Sequence, residues 1–229
     1  MLEKLKREVC RANLDLVREG LVMQTFGNVS GVDRERDLVV IKPSGVPYEG
    51  MKPDHMAVVS LADGRVVEGR YRPSSDTPTH LVLYRAFGGV GGIVHTHSIQ
   101  ATAWAQARRE IQPLGTTHAD FCHGPVPCTR LMTSQEIQTD YEANTGRVIV
   151  ERFRGLDPRS FPAVLVASHG PFAWGKDAAE AVHHAAILEY LARLASETEH
   201  LQPTIKLMQR ALLDKHFLRK HGPGAYYGQ

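Results

Sequence analysis

The sequence predicts an α/β domain in which strands and helices alternate around a sheet that is not all-parallel. Three observations carry this. Some segments repeat apolar residues every three or four positions while others are short β-branched runs; an Asp-Gly turn joins two such runs into a hairpin; and no repeat, low-complexity tract or linker divides the 229 residues. The chain therefore reads as one domain, 1–229.

Leu2, Leu5, Val9, Ala12 and Leu16 form one face of an opening helix that runs to about Glu19 and stops at Gly20. Residues 37–41 are a strand, and residues 57–61 and 66–68 form a hairpin turning through Ala62-Asp63-Gly64-Arg65. Ser75-Asp76-Thr77-Pro78 starts a helix, with Pro in the first turn, that runs to Phe87 before Gly88-Gly89. A strand at 93–97 leads into a helix at 98–108, and 147–153 and 163–168 are further β-rich runs. Asp177 with Glu180 caps a helix through about Glu197, and a last helix is expected from Pro203 to Lys220.

With 42% hydrophobic and 23% charged residues the composition is that of a globular protein, and 27 Lys plus Arg against 25 Asp plus Glu gives no reason to expect nucleic acid. A chain this long buries about 70% of its unfolded surface, so a metal, if present, serves chemistry rather than folding. Cys10, Cys122 and Cys128 make no C-x-x-C pair and read as free thiols of a reducing compartment. Residues 1–8 alternate charged with apolar side chains, unlike a signal peptide, and no run approaches the roughly 18 apolar residues of a membrane span. The expectation is a cytoplasmic protein without membrane contact.

The sharpest chemical signal is Val94-His95-Thr96-His97: alternation along a strand turns both imidazoles to one face, where they can share a metal, although such a pair also suits a half-exposed strand. His169 ends the apolar run 163–168 and is followed by Gly170-Pro171, so a third imidazole projects at a sharp turn. Three histidines at strand ends suit a catalytic zinc site, with Asp76 the candidate carboxylate and a plain helix cap its other reading. Pro73-Ser74-Ser75 at the same helix start suits an anion, and Gly27-Asn28 and Lys42-Pro43-Ser44-Gly45 are further small turns. Nucleotide fingerprints are absent, since Gly88-Gly89-Val90-Gly91-Gly92 precedes a strand where a dinucleotide loop follows one. Asp120 is a candidate acid or base or else a solvated loop residue; His118, His123, His183, His184, Cys122 and Cys128 read as structural. Lys215-His216 and Arg219-Lys220-His221 read as a solvated helix end, with a phosphate clamp as the other option.

Taken together, Gly27-Asn28-Val29-Ser30, Lys42-Pro43-Ser44-Gly45, residues 73–80, His95-Thr96-His97, residues 115–120 and Ser168-His169-Gly170-Pro171-Phe172-Ala173-Trp174-Gly175 closely resemble the class II aldolase family, in its epimerase branch. The resemblance spans nearly the whole chain and implies a three-layer αβα fold with a central, largely antiparallel mixed sheet. It further implies zinc or another divalent cation on His95, His97 and His169 with Asp76, and substrate phosphate among Gly27, Asn28, Lys42, Ser44, Gly45, Ser74 and Ser75. Asp120 is implied as one acid/base and Tyr227 as the other, delivered by a neighbouring subunit of a homotetramer. The implied reaction inverts C4 of a pentulose 5-phosphate by retro-aldol cleavage, rotation of the aldehyde and recombination, as in arabinose or ascorbate catabolism. The family's phosphosugar aldolases tend to carry Glu in place of Asp76, so this chain resembles the epimerases; Phe26 stands where Trp is frequent. A phosphosugar aldolase and a non-catalytic interaction module are the alternatives.

Overall fold

A computed structural model describes residues 2–226. Its sheet has seven strands in the order β4-β3-β2-β1-β5-β7-β6. These are β1 (Asn28–Asp33), β2 (Leu38–Ile41), β3 (Ala57–Ser60), β4 (Val66–Glu68), β5 (Gly92–His95), β6 (Ala163–Val166) and β7 (Gly170–Gly175). Every pairing between its strands is antiparallel, and the one parallel bridge among the described residues joins Cys128, outside the strands, to Leu165 of β6.

Alternation along the strands builds two cores. Val40, Val58, Val94, Leu165 and Ala173 face α1 (Glu3–Arg18), α3 (Ile99–Ala107) and α7 (Ala178–Leu201). Their neighbours Val39, Val59, Ile93, Val164 and Trp174 face α2 (Thr77–Ala86) and α6 (Tyr141–Arg152). With both faces covered, a strand such as β2 is buried at every residue, which is why it reads as a continuous apolar run. This is the three-layer arrangement implied by the family resemblance.

The run 147–153, expected as β structure, is instead the end of α6. Thr145, Val148 and Ile149 are buried at helical spacing, and Gly146 lets α6 lie against Val82 of α2, so tertiary packing overrides the β-branched propensity. The last helix, α8 (Arg210–His221), starts seven residues later than Pro203. Residues 202–207 are exposed, and the Met208 N–H goes to the Pro113 carbonyl, so this stretch has no buried face to hold a helix. β1 and β7 were not expected: one is polar and the other contains Pro171, yet each is held by strands on both sides. The short helices α4 (Thr116–Ala119) and α5 (Ser134–Thr139) also carried no apolar period to reveal them. β5 ends at His95, two residues early, and α7 runs a turn beyond Glu197.

β5 is pressed against the start of α7. A Cβ on Gly92 would lie 2.3 Å from the Asp177 carbonyl carbon and 2.4 Å from the Ala178 nitrogen, both backbone atoms. Gly92→Ala should therefore lower stability by about 3 kcal/mol, seen as a fall in the urea midpoint without a change in its slope; an unshifted midpoint would show that the two elements separate freely.

Candidate active site

β1 pairs with β5 so that Asn28 faces His95, and the β6–β7 turn returns His169 to the same end of the sheet. In that turn Ser168 adopts a left-handed φ of 60°, a strained conformation for a residue other than glycine. His97 lies beyond the end of β5, but the Thr96 N–H still reaches the Pro171 carbonyl, so the extended course continues and the imidazoles converge. Ring centroids are 4.9 Å apart for His95 and His97, 4.8 Å for His95 and His169, and 5.3 Å for His97 and His169.

His95 donates from Nδ1 to the Pro171 carbonyl at 2.9 Å, which leaves the Nε2 lone pair facing His97 Nε2 at 3.1 Å. Nitrogens bound tetrahedrally at about 2.1 Å from a zinc ion lie about 3.3 Å apart, so this spacing fits one shared cation. One ligand atom from each of the three histidines lies within 4.8 Å of the others. Burial disfavours the charged form of two of the rings: it lowers the pKa of His95 and takes His169 from 6.5 down to about 3. Asp76 sits just ahead of α2, and its Oδ2 accepts from Asn28 Nδ2 at 2.7 Å. Burial opposes its charge, but the His95 and His80 rings and the Asn28 amide outweigh that and hold the carboxyl below its ordinary range.

The other end of this cavity, of about 340 Å³, gathers Lys42, two serine turns and Gly27-Asn28. A bridge between Pro43 and Pro73 joins the turn at Ser44-Gly45 to that at Ser74-Ser75, reinforced by Ser44 N–H to Arg72 and Ser74 N–H to Lys42. Lys42 is 2% exposed. Its Nζ donates to the carbonyls of Thr25, Pro43 and Val46 at 3.1–3.4 Å and lies 4.7 Å from the centre of the Tyr48 ring, and burial lowers its pKa to about 8. Gly27 has a φ of 79°, and a Cβ there would meet Val22 at 2.7 Å and the His95 carbonyl at 3.0 Å. Asn28 spans both ends, its Nδ2 also reaching Ser74 Oγ at 3.1 Å, while its buried Oδ1 has no hydrogen-bond partner among the described residues. A larger hollow of about 480 Å³ is lined by Phe87, Phe153 and Leu156 together with Arg154 and the paired Asp157 and Arg159.

Eleven sequence-derived residues thus come together: Gly27, Asn28, Lys42, Ser44, Gly45, Ser74, Ser75, Asp76, His95, His97 and His169. Asp120 does not join them. It follows α4 and lines a separate cleft with Phe121, His183 and His184. There Arg219 grips both carboxylate oxygens at 2.9 and 3.1 Å, His216 Nδ1 lies at 3.0 Å and Lys220 at 3.7 Å. The basic end of α8 is therefore an ion-pair cluster rather than a solvated terminus. Burial opposes the Asp120 charge, but the bonds from Arg219 and His216 prevail and lower its pKa. Tyr227 lies outside the described residues. His118 and His184 are structural as expected, bonded to the carbonyls of Gly124 and Trp174.

One residue beside the triad carried no signal in the sequence, because the helix it begins was not expected. Tyr141 places its ring 6.1 Å from that of His169, and burial with the Asp76 charge raises its pKa, so it keeps its proton.

Residues 7–196 match the family described as Class II Aldolase and Adducin N-terminal domain, and the chain belongs to that family. Over 228 residues, covering 100% of both chains, it is 57% identical to the L-ribulose-5-phosphate 4-epimerase UlaF of Salmonella paratyphi B and equally to that of Salmonella typhi. A solved L-fuculose 1-phosphate aldolase is 25% identical, with a TM-score of 0.78 over 93% of this chain and 94% of that one. The L-fuculose-1-phosphate aldolase of Thermus thermophilus shares the fold, at 24% identity and a TM-score of 0.70 over 89% of this chain and 100% of that one.

Burial takes His80, like His169, from 6.5 down to about 3. Between those values the unfolded chain binds protons that the folded chain does not, so this contribution is complete above pH 6.5 and is lost as pH falls toward 3. Metal-free protein should lose about 1 kcal/mol per pH unit for each group between pH 6.5 and 5, measured by urea unfolding; a flat profile would show that the rings are accessible to protons.

Proposed function

We propose that the chain interconverts L-ribulose 5-phosphate and D-xylulose 5-phosphate by cleaving and re-forming the C3–C4 bond. The observation that carries this is one cavity with three convergent imidazoles and Asp76 at one end and Lys42, with no carboxylate among its partners in the described residues, at the other. In a 2-ketose the C4 hydrogen is not adjacent to the carbonyl, so its removal gives no enolate, whereas retro-aldol cleavage yields a stabilised enediolate and glycolaldehyde phosphate. Zinc or another divalent cation on His95, His97, His169 and Asp76 supplies Lewis-acid stabilisation of the charge that develops.

Lys42, Ser44, Gly45, Ser74 and Ser75, with Gly27 and Asn28, hold the phosphate, so the aldehyde turns its other face without escaping. The two epimers carry the C4 hydroxyl on opposite sides, and two acid/base groups are required. Asp120 and Tyr227 fill these roles. Asp120 is tied to α8, the chain runs on from α8 to Tyr227, and Asp120 faces a cleft other than the one that holds the histidines. Both therefore act on the cavity of a neighbouring copy, in a homotetramer whose active sites lie between subunits. Among the described residues no helix is long and apolar enough to cross a membrane. A cytoplasmic role in arabinose- or ascorbate-type catabolism completes the reading.

A coupled assay on L-ribulose 5-phosphate tests the activity, and release of free glycolaldehyde phosphate instead would favour the aldolase reading. Removing residues 224–229 should abolish epimerisation while metal content stays stoichiometric; a fully active truncation would remove Tyr227 from the reaction. His97→Ala and Asp120→Asn proteins, each nearly inactive, should regain about a quarter of native activity when their subunits are mixed at random. No recovery would place Asp120 and the histidines of each active site in the same chain. Inorganic phosphate should bind about tenfold more weakly at pH 9.5 than at pH 7, as Lys42 loses its proton above about 8. Lys42→Gln should flatten that dependence, and an equal slope in both proteins would exclude Lys42 from the anion site.

A further inference from the structure

Three consecutive carbonyls of the turn that enters β1 end on two side chains. The Thr25 carbonyl accepts from Lys42 Nζ at 3.4 Å, and those of Phe26 and Gly27 both accept from the Tyr48 hydroxyl at 2.9 Å. The Tyr48 ring also faces the Lys42 ammonium, which lies 4.7 Å from the ring centre. Tyr48 is buried, and burial pushes its pKa up, so the hydroxyl keeps the proton that the two carbonyls share. Lys42 and Tyr48 thus form one buried pair around which the Gly27 turn is folded, and no step of the reaction above uses Tyr48.

What the ring adds follows from how Lys42 is otherwise held. An ammonium has three protons, and the three carbonyls that accept them lie at 3.1–3.4 Å, longer than the roughly 2.7–2.9 Å of a charge-assisted bond. These carbonyls and the Tyr48 ring are its partners among the described residues, and burial alone lowers its pKa, to about 8. The face of an aromatic ring is negative and attracts a cation most strongly where both are out of water. A carboxylate in the same place would attract the ammonium too, but it would cancel the charge and repel an incoming phosphate. The ring has no net charge, so the positive charge of Lys42 stays available to a ligand.

The hydroxyl acts on the backbone. In a planar trans peptide each N–H points opposite the preceding C=O. Drawing the Phe26 and Gly27 carbonyls toward Tyr48 therefore fixes the N–H groups of Gly27 and Asn28 in the other direction. Asn28 is also the residue whose side chain joins Ser74 to Asp76.

We propose that Tyr48 is a positioning residue for the phosphate end of the cavity: its ring holds the Lys42 ammonium in place and charged, and its hydroxyl holds the Gly27 turn. The proposal rests on the reading of Lys42 and the two serine turns as a phosphate grip.

Carbon-13 NMR of lysine-labelled, zinc-loaded protein reads the charge on Lys42 directly, with Lys42→Gln identifying its signal, and calorimetry with inorganic phosphate reads the grip. In Tyr48→Phe, which keeps the ring, Lys42 should titrate as in the native chain, and phosphate should bind about threefold more weakly at both pH 6 and pH 8. In Tyr48→Leu, Lys42 should titrate about one pH unit lower, so that phosphate binds about fivefold more weakly than to Tyr48→Phe at pH 8 and nearly equally at pH 6. A loss of packing alone would not depend on pH in this way. A native Lys42 titration in Tyr48→Leu overturns the role of the ring, and native phosphate affinity in Tyr48→Phe overturns that of the hydroxyl. A native chain that binds no phosphate, while Lys42 still titrates lower in Tyr48→Leu, overturns the phosphate reading instead. Should Tyr48→Leu fail to fold, phenylalanines carrying one, two or three ring fluorines in place of Tyr48 keep its shape and weaken the ring face in steps. Lys42 should then titrate lower at each step, and a flat series overturns the role of the ring.

Discussion

Everything at the candidate site depends on keeping imidazoles uncharged. His95 is buried, stacked on Phe172 with ring centres 4.2 Å apart, and His169 is half-buried beside it. Protonated rings this close would repel one another, and burial makes protonation of His95 and His169 costlier still, so their lone pairs remain available to a cation. The sheet supplies that burial. β1, β5 and β7 are neighbours at its centre, and the ends of β1 and β5 with the turn into β7 are the positions from which Asn28, His95 and His169 project.

The anion end uses the opposite strategy. Lys42 remains a buried cation whose polar partners are carbonyl oxygens, and the depressed pKa measures how poorly it is compensated. A bound phosphate would supply the missing negative charge. On the proposed reading the two ends would accept ligands of opposite sign, and Asn28, bonded to both Ser74 and Asp76, links them mechanically.

Much of this was legible in the sequence because the signals were local. The spacing of His95 and His97 gave the right convergence even though β5 ends at His95, since the Thr96 N–H extends the strand-like course. The Gly170-Pro171 turn marked where His169 would project. What stayed hidden was decided by contacts distant along the chain. The β-branched end of α6 is helical because α2 covers it, and Tyr141 was hidden with that helix. Arg219 and His216 had a ready local explanation as cations at a helix C-terminus, and only the folded chain shows Asp120 between them. His80 carried no signal of its own, because its hydrogen-bond partner Ser30 lies on β1, far from α2 in the chain.

The bridge between Pro43 and Pro73 gives the cavity a further property. Because it fastens the two serine turns together, and Ser74 is in turn fastened through Asn28 to Asp76, the span from phosphate grip to metal ligands is set by covalent geometry and short hydrogen bonds. On the proposed reading such a cavity would work as a ruler: a sugar phosphate one carbon too short or too long would fail to seat its anion and its carbonyl together, and would be turned away by length before any hydroxyl is inspected.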